Sequence, residues 1–481
     1  MALFNLVCNG MNSNLKKQRL IDAIKGILPD DIFLSSKEDC APYGGDWTRL
    51  TGDPLLVFLP KTTEQVSLIL KTCNDLKIAV IPSGGRTGLS GGAVVINGEV
   101  VLSLSRMNKI SSVDTLGRTI RVQAGAITEA VHEAAAKEGL LWPIDLASKG
   151  TCEVGGNLST NAGGVKVIRY GMTRKWVSGL QIVLMNGDVI ELNRGLEKNN
   201  TGYDLIQLLI GAEGTLAVIT EATLKLVRLP QKEKVLFFSL SSLLAVSQLF
   251  EKARKGPFEI LAFEFFSQLC LTAVITKLKR SSKLQKPSEF YVLMEIEMGL
   301  GTEPEVLLES WLEEVLGANF VVDGLLSQSS AEKREIWGLR EGITESISLT
   351  NEVRKYDTSV AVDKVVQFVE EAKTLFHSMK LESELYLFGH FGDGSPHLNI
   401  VRRDTVDHET FIKECDVFEK ELYLLLRKFG GSASAEHGVG LLKKSWVELS
   451  RTPQEMAIFR AIKTAFDPQH LLNPNKVFSL L

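Results

Sequence analysis

Cysteine is scarce and scattered in this chain. Six occur in 481 residues, at positions 8, 40, 73, 152, 270 and 415, and no two form a C-x-x-C pair. That excludes a disulfide framework and a zinc ribbon, and reads as free thiols in a reducing compartment. No apolar run approaches the roughly 20 residues needed to span a bilayer. Charge of one sign is not in excess either: the formal net charge is -4, which predicts neither a nucleic-acid nor a membrane-surface binder. Met1 to Asn14 lacks a basic region ahead of a hydrophobic stretch and is poor in arginine, so neither a secretory signal nor a transit peptide is predicted, and the expectation is a cytoplasmic protein. Internal repeats and low-complexity runs are missing.

Hydrophobic residues make up 44% of the chain, enough for a large core, and the length predicts two or three structural units. From Leu55 to Leu104 the pattern predicts strand (Leu55–Leu59), helix (Thr62–Lys77), strand (Ala79–Ile81) and strand (Val100–Leu104), a small α/β unit. Ile120–Ala124 reads as a strand, Ile127–Gly139 as a helix, Val177–Leu192 as a hairpin turning at Asn186-Gly187, and Leu216–Val227 as a strand. After Pro230 the composition changes. Strands are predicted at Phe237–Leu240, Phe263–Phe265, Tyr291–Ile296 and Glu384–Gly389. Helices are predicted at Leu243–Lys255, Pro304–Leu316, Val365–Met379 and Phe411–Lys428, with helical patterning again toward Leu481.

Glycine is the first residue type that carries chemistry. Pro82 to Gly92 places five glycines in nine residues directly after a strand. Such a loop approaches a ligand closely and turns its N–H groups into a concave anion site. A flexible surface loop is the bland alternative. The spacing is not G-x-G-x-x-G and no Walker lysine follows, so neither the Rossmann fingerprint nor the P-loop applies. A second glycine-rich loop, Gly155 to Gly164, mixes glycines with small hydroxyl and amide side chains suited to a flat polar heterocycle. The third is Gly211 to Leu216, before a strand. Three such loops in this order resemble the FAD-binding domain of the vanillyl-alcohol oxidase and p-cresol methylhydroxylase relatives. The resemblance implies that Ser83, Gly84, Gly85, Arg86, Thr87, Gly88 and Leu89 hold the pyrophosphate. Pro143, Asp145, Gly155, Gly156, Asn157, Ser159, Thr160 and Asn161 would line the flavin. Glu213, Gly214 and Ile219 would lie toward the adenine or ribityl chain, with Asn473 added from the C-terminal tail. The first loop has no histidine, so the FAD would be non-covalent.

Histidine is rare, with seven in the chain, so clustering is informative. His390 and His397 bracket a Gly392-Asp393-Gly394 turn, and a strand–turn–strand of this length brings both imidazoles to one side. Glu436-His437 supplies a carboxylate and a further imidazole. Two histidines and a glutamate form a zinc ligand set that leaves a position open for substrate; the alternative is that the histidines satisfy loop carbonyls. His132, His377, His408 and His470 lack this context. Arg340 and Thr344, four apart on a predicted helix, can share a face and bind a carboxylate, although Arg340 beside Glu341 is also ordinary helix-surface chemistry. Arg354-Lys355-Tyr356-Asp357 reads equally as a solvated basic patch.

The stretches G-H-x-G-D-G-x-x-H-x-N at 389–399 and S-A-E-H-G-V-G at 434–440, with L-R-E-x-I-T and x-K-Y-D before them, resemble the D-2-hydroxyglutarate dehydrogenases and their D-lactate dehydrogenase relatives, over about residues 40 to 478. The Ser395-Pro396 pair departs from the usual pattern and should stiffen the turn without losing the ligands. The resemblance implies that His390, His397 and Glu436 hold a divalent metal resembling Zn²⁺. It makes His437 the general base and puts Asn399 on the substrate, with Arg340, Thr344 and Lys355 on its carboxylates. The C2 hydrogen would leave as hydride to flavin N5. Lys355 favours a dicarboxylate over D-lactate. The implied fold is α+β: an FAD-binding domain (residues 1–230, core 53–230), a substrate-binding cap (231–430) carrying the metal site, and a C-terminal segment (431–481) completing the active site. The implied partners are a D-2-hydroxy acid and, because no nicotinamide site is evident, an electron-transfer protein or quinone-linked acceptor, with homodimer formation left open. The rivals are a D-lactate dehydrogenase, an alcohol or phenol oxidase on the same flavin domain, and a non-catalytic nucleotide- or metal-binding protein.

Overall fold

The computed structural model describes residues 13–349 and 352–479. Cys8, and all but the last two residues of the leader reading at Met1 to Asn14, lie outside them. The other five cysteines are free and buried. No helix among the described residues is long and apolar enough to cross a membrane.

The first sheet contains β1 (Phe33–Leu34), β2 (Val57–Phe58), β3 (Val80–Ser83) and β4 (Val100–Ser103) in the order β1-β2-β4-β3. The last three run parallel, as expected when helix α1 (Thr63–Asp75) makes the crossover. Thr62 starts that helix by accepting the Gln65 N–H on its side chain. Val66, Ile69, Leu70 and Cys73 recur at helical spacing and are buried, so one stripe of the helix covers the sheet.

The second sheet contains β5 (Thr119–Gln123), β6 (Val177–Val183), β7 (Val189–Leu192) and β8 (Val218–Lys225) in the order β5-β8-β6-β7. Asn186-Gly187 does turn the β6–β7 hairpin: Gly187 sits at φ +90°, and Asn186 Oδ1 accepts the Asp188 N–H at 3.0 Å. One expectation is corrected here. Gly155 to Gly164 is not a loop throughout, because Val154–Thr160 forms helix α2, ended by Asn161 at φ +50°. Packing of Val154 and Leu158 into the core overrides the poor helix propensity of the two glycines.

The third sheet is built entirely from residues after Pro230. Its strands are β9 (Glu233–Leu240), β10 (Glu259–Ser267), β11 (Phe290–Glu297), β12 (Val321–Leu326), β13 (Val353–Asp357), β14 (Glu384–His390) and β15 (Ser395–Val401), in the order β12-β9-β11-β10-β14-β15-β13. Helices α3 (Leu243–Ala253), α5 (Glu303–Leu316), α7 (Val365–Ser378) and α8 (His408–Lys428) pack on one face. Helices α4 (Gln268–Lys277) and α6 (Ser330–Ser348) pack on the other.

The second face changes character along the sheet. Phe237, Phe266, Tyr291 and Leu293 are buried apolar residues under α4 and α6. Beyond Phe388 the same face presents His397, then Asp357 opposite it, and Lys355 opposite Asn399. Pairing in register puts these side chains on one side. The C-terminal chain then returns to the first two sheets. Helix α9 (Pro453–Phe466), opened by a Thr452/Glu455 capping box, lays Ile462 and Phe466 on the second core, and Leu472 bridges Val80.

Candidate active site

At the end of β3 the chain enters the first glycine loop. None of the backbone N–H groups from Gly84 to Leu89 has a hydrogen-bond acceptor among the described residues. Arg86 is held at φ +54°, with its guanidinium 4.5 Å from the centre of the Tyr43 ring. A Cβ on Gly85 would strike the Thr151 carbonyl, so the loop lies directly on the turn that leads into α2. Backbone N–H groups without acceptors are what a pyrophosphate requires, and these residues fit one. In α2, a Cβ on Gly155 would meet Ala124 Cβ at 2.8 Å, whereas one on Gly156 would meet nothing within 4 Å. Gly155 therefore serves helix–strand packing, and Gly156 leaves its side open for a ligand.

Several residues expected to line the cofactor spend their side chains elsewhere. Asn157 is buried and donates to Thr128 Oγ1 at 2.6 Å. Asn161 Oδ1 accepts the Arg174 N–H, Thr160 Oγ1 donates to Gly156 O, and Lys149 donates to Asp145. Ile219 and Pro143 are buried, Ile219 inside the second core, and Ser159 receives the Glu213 N–H on its carbonyl. Gly214 is at φ +68° against Pro82. Asn473 donates to Gly92 O at 3.2 Å and Glu213 O at 2.7 Å, tying the tail to the first and third loops. The Glu213 carboxylate accepts the N–H groups of Val439 and Gly440, both at 2.7 Å. Burial raises its pKa against those two bonds. The third loop thus holds the segment that follows Glu436-His437, and Ser90 Oγ also donates to His437 O.

In the third sheet, strand β14, its Phe391–Asp393 turn and strand β15 bring the two predicted imidazoles together, with ring centres 5.2 Å apart. Gly394, at φ +82°, makes the turn. Pro396 sits opposite Gly389 in the ladder, so the departure at Ser395-Pro396 leaves the ligand geometry intact. Glu436 Oε1 lies 3.5 Å from His390 Nε2 and 3.4 Å from His397 Nε2. A tetrahedral ion with bonds of about 2.1 Å holds its ligands about 3.4 Å apart, so these three atoms fit one divalent metal. Burial raises the Glu436 carboxyl, but hydrogen bonds to both histidines outweigh this and hold it well below the usual range. Burial lowers His397, with Glu436 opposing it only in part. The remaining four histidines do not join a metal-binding group among the described residues.

His437, part-buried beside the cluster, is oriented by a residue that sequence reasoning passed over. Asp357 Oδ2 accepts the His437 N–H at 3.0 Å and the Lys443 ammonium at 3.0 Å, and lies 3.3 Å from His437 Nδ1. Burial raises Asp357, yet the charges of His437 and Lys443 hold it ionised far below the usual carboxylate range. Glu264 was also missed. It is fully buried, lies 2.7 Å from His390 Nδ1 and receives Arg340 Nε at 2.9 Å and Nη2 at 2.8 Å. Its coulombic ties to His390 and Arg340 keep it ionised despite burial. A metal-bound histidine commonly needs such a carboxylate to fix its tautomer. Both acids are separated in sequence from the residues they serve, so no local motif announces them.

Arg340 is accordingly not a surface residue. Its guanidinium is paired through two nitrogens and lies over the Phe388 ring at 4.9 Å, which leaves Nη1 for a ligand. Thr344, one turn on, is exposed. Lys355 is half-buried and has no ion-pair or hydrogen-bond partner among the described residues. Burial and then the charge of Arg49 lower its pKa. Asn399 is 2% exposed and its Nδ2 has no acceptor among the described residues.

Residues 54–193 match the FAD binding domain family and residues 229–477 the family described as FAD linked oxidases, C-terminal domain. The chain is 42% identical to a D-2-hydroxyglutarate dehydrogenase of Xanthomonas citri pv. viticola, over 92% of this chain and 93% of that protein. It is 40% identical to one of Stutzerimonas stutzeri, over 96% and 99%. A solved 4-ethylphenol oxidase from Gulosibacter chungangensis shares the fold at TM-score 0.75 and 16% identity, over 98% of each chain. This chain belongs to the D-2-hydroxyglutarate dehydrogenases, an FAD-dependent family of oxidoreductases acting on CH–OH groups.

Proposed function

We propose that the chain oxidises D-2-hydroxyglutarate to 2-oxoglutarate. The observation that carries this reading is the stack formed by the His390/His397/Glu436 cluster and the Asp357-held His437, next to a segment, Val439 and Gly440, that Glu213 of the third glycine loop holds by two hydrogen bonds. When bound, FAD supplies the two-electron acceptor and a divalent ion supplies positive charge that acidifies a hydroxyl. His390, His397 and Glu436 hold the ion, and Glu264 fixes the orientation of His390. His437 takes the C2 hydroxyl proton on Nε2, because Nδ1 faces Asp357. Asp357 stabilises the imidazolium that forms, and Lys443 keeps Asp357 ionised. Asn399 Nδ2, Lys355, Thr344 and Arg340 Nη1 bind the carboxylates and set which face of C2 is presented. Buried donors left without an acceptor favour a substrate that supplies one.

The test is anaerobic mixing of the metal-loaded flavoprotein with D-2-hydroxyglutarate, D-lactate and the L-isomers, read as loss of flavin absorbance. Bleaching by D-2-hydroxyglutarate well ahead of the others is expected. Faster bleaching by D-lactate would make that acid the substrate. Reoxidation is expected from an electron-transfer protein or quinone-linked carrier, checked by measuring turnover with each acceptor. Dialysis against a chelator should remove bleaching and leave the yellow colour, with Zn²⁺ restoring it.

A further inference from the structure

Residues 163–170 lead out of the second glycine stretch and cross from one half of the chain to the other. Both ends of this segment are pinned in the first half. A Cβ on Gly164 would collide with the Asp145 carbonyl, and one on Gly163 would meet Met172 Sδ at 2.9 Å. At the far end Tyr170 is buried, its ring edge-on to Trp176 with centres 6.0 Å apart, and Trp176 Nε1 donates to Tyr170 O at 2.9 Å. Between these anchors lies a single turn of helix, Val167–Tyr170. It is closed by the Tyr170 N–H donating to Lys166 O at 3.0 Å and the Gly171 N–H donating to Val167 O at 2.8 Å. A segment this short and this constrained holds its outward side chain in one place.

That side chain is Ile168, and it is seated in the other half. It packs against the core of the third sheet, where Phe391 is buried. A Cβ on Gly392 would collide with Ile168 Cδ1 and come within 3.0 Å of Cγ1. Gly392 belongs to the Phe391–Asp393 turn between His390 and His397. Its φ is not positive, so the backbone of the turn does not call for glycine there; the incoming isoleucine does. Charge fixes the seat on either side. Lys166 Nζ lies 3.4 Å from Glu295 Oε2 on β11 and 3.7 Å from Glu233 Oε1 on β9. Arg169 Nη1 lies 2.7 Å from Glu259 Oε2 at the start of β10. Glu233 and Glu295 also hold Lys333, at 2.6 and 3.5 Å, two turns ahead of Arg340 on α6. The same two carboxylates thus tie the crossing segment to the helix that carries Arg340.

We propose that Ile168 is a positioning residue of the reaction: seated on Gly392, it fixes the second glycine stretch against the His390–His397 turn and so sets the distance over which cofactor and substrate meet. The inference rests on the D-2-hydroxy acid reading above, with the flavin along the second glycine stretch. A close-packed contact transmits displacement instead of absorbing it, and the ion pairs of Lys166 and Arg169 keep the seat from sliding along the sheet.

Ile168→Ala, Gly392→Ala and the double variant test this in the full-length holoprotein, held well below its melting temperature. Bleaching of the flavin by saturating D-2-hydroxyglutarate should slow about 10- to 100-fold in Gly392→Ala, the order expected for a misplacement near 1 Å, and about tenfold in Ile168→Ala. The double variant should be faster than Gly392→Ala alone, because Cδ1 and Cγ1 are gone and the remaining Cβ of residue 168 stands at 3.4 Å, an ordinary contact. The substrate concentration for half-maximal rate and the FAD content should hold in all three. Bleaching of Ile168→Ala at the wild-type rate, with only the melting temperature lowered, would make the contact structural and overturn the proposal. A loss confined to substrate affinity, or a double variant no faster than Gly392→Ala, would overturn it too. A second measurement does not need the reaction. Adding FAD to the FAD-free protein should slow amide exchange across residues 389–396 in wild type and not in Ile168→Ala; an equal response in both would sink the proposal. If wild type were bleached by no 2-hydroxy acid while this Ile168-dependent protection remained, the positioning contact would stand and the reaction would fall.

Discussion

At the nucleotide end, Gly84 to Leu89 offer backbone N–H groups that have no acceptor among the described residues. At the sheet end, His390, His397, Glu436, Asp357, Glu264 and Lys443 form a dense web of charged side chains. Backbone dipoles at the nucleotide end need no counter-ion of their own. The sheet end holds full charges in a buried place, so each must be matched by another: Glu264 by Arg340 and His390, Asp357 by Lys443 and His437. Damage should therefore spread at the sheet end and stay local at the nucleotide end.

The largest effect should come from the cluster itself. Glu436→Ala removes one proposed metal ligand and the partner of two buried histidines, and should lower turnover about 10³-fold or more with FAD content unchanged. Full turnover with the metal retained would remove Glu436 from the site. Next comes the residue behind His437, the proposed base. Asp357→Asn keeps the shape but sets an amide against the His437 N–H and the Lys443 ammonium, and kcat should fall about 10²-fold with little change in KM. If KM rose while kcat held, Asp357 would be shaping the substrate pocket instead of orienting His437.

The adjacent glycines of α2 give a sharper contrast. Gly155→Ala overpacks against Ala124 and should cost about 1–3 kcal/mol in stability, read by thermal melting. Gly156→Ala meets no protein atom within 4 Å, so it should keep its melting temperature as apoprotein and weaken FAD binding about tenfold. Identical behaviour of the two variants would show that Gly156 does not face the cofactor.

The smallest effect concerns an acid at the nucleotide end. Glu153 is buried behind Gly84, and burial pushes its pKa up to about 7, with Arg86 pulling the other way. Its folded pKa is above the ordinary carboxyl value, so the neutral form favours the fold at low pH and that advantage is lost as pH rises through about 7. The same ionisation sets an anion beside the pyrophosphate loop. FAD affinity should fall a few-fold between about pH 6 and pH 8 and stay level in Glu153→Gln. A level wild-type profile would mean that Glu153 does not sense the phosphates.

Much of this was legible in the chain. The three glycine-rich stretches, Asn186-Gly187, the spacing of His390 and His397 across a glycine turn, and the Glu436-His437 pair each carry their conformation or chemistry within a few residues. Other side-chain contacts were not legible, for a common reason. Asn157, Ile219 and Asn473 lie in the right segments, but their side chains or donors serve Thr128, the second core and two loop carbonyls. Proximity to a motif does not fix where a side chain points. Glu264, 126 residues before His390, could be found only by knowing that β10 and β14 are neighbours.

What the sequence determined by itself was the set of local conformations and the ligand types: glycines where backbone must come close, imidazoles and a carboxylate where a metal can bind, and apolar periods that commit segments to strand or helix. Those follow from sterics and donor chemistry within a single stretch of chain. The tertiary structure decided which charges meet. Asp357 faces His437, Glu264 faces both His390 and Arg340, and Glu213 reaches Val439 and Gly440, because sheet order and the returning C-terminal segment bring distant residues together. Buried charge is tolerated only beside its complement, and that pairing depends on the whole fold.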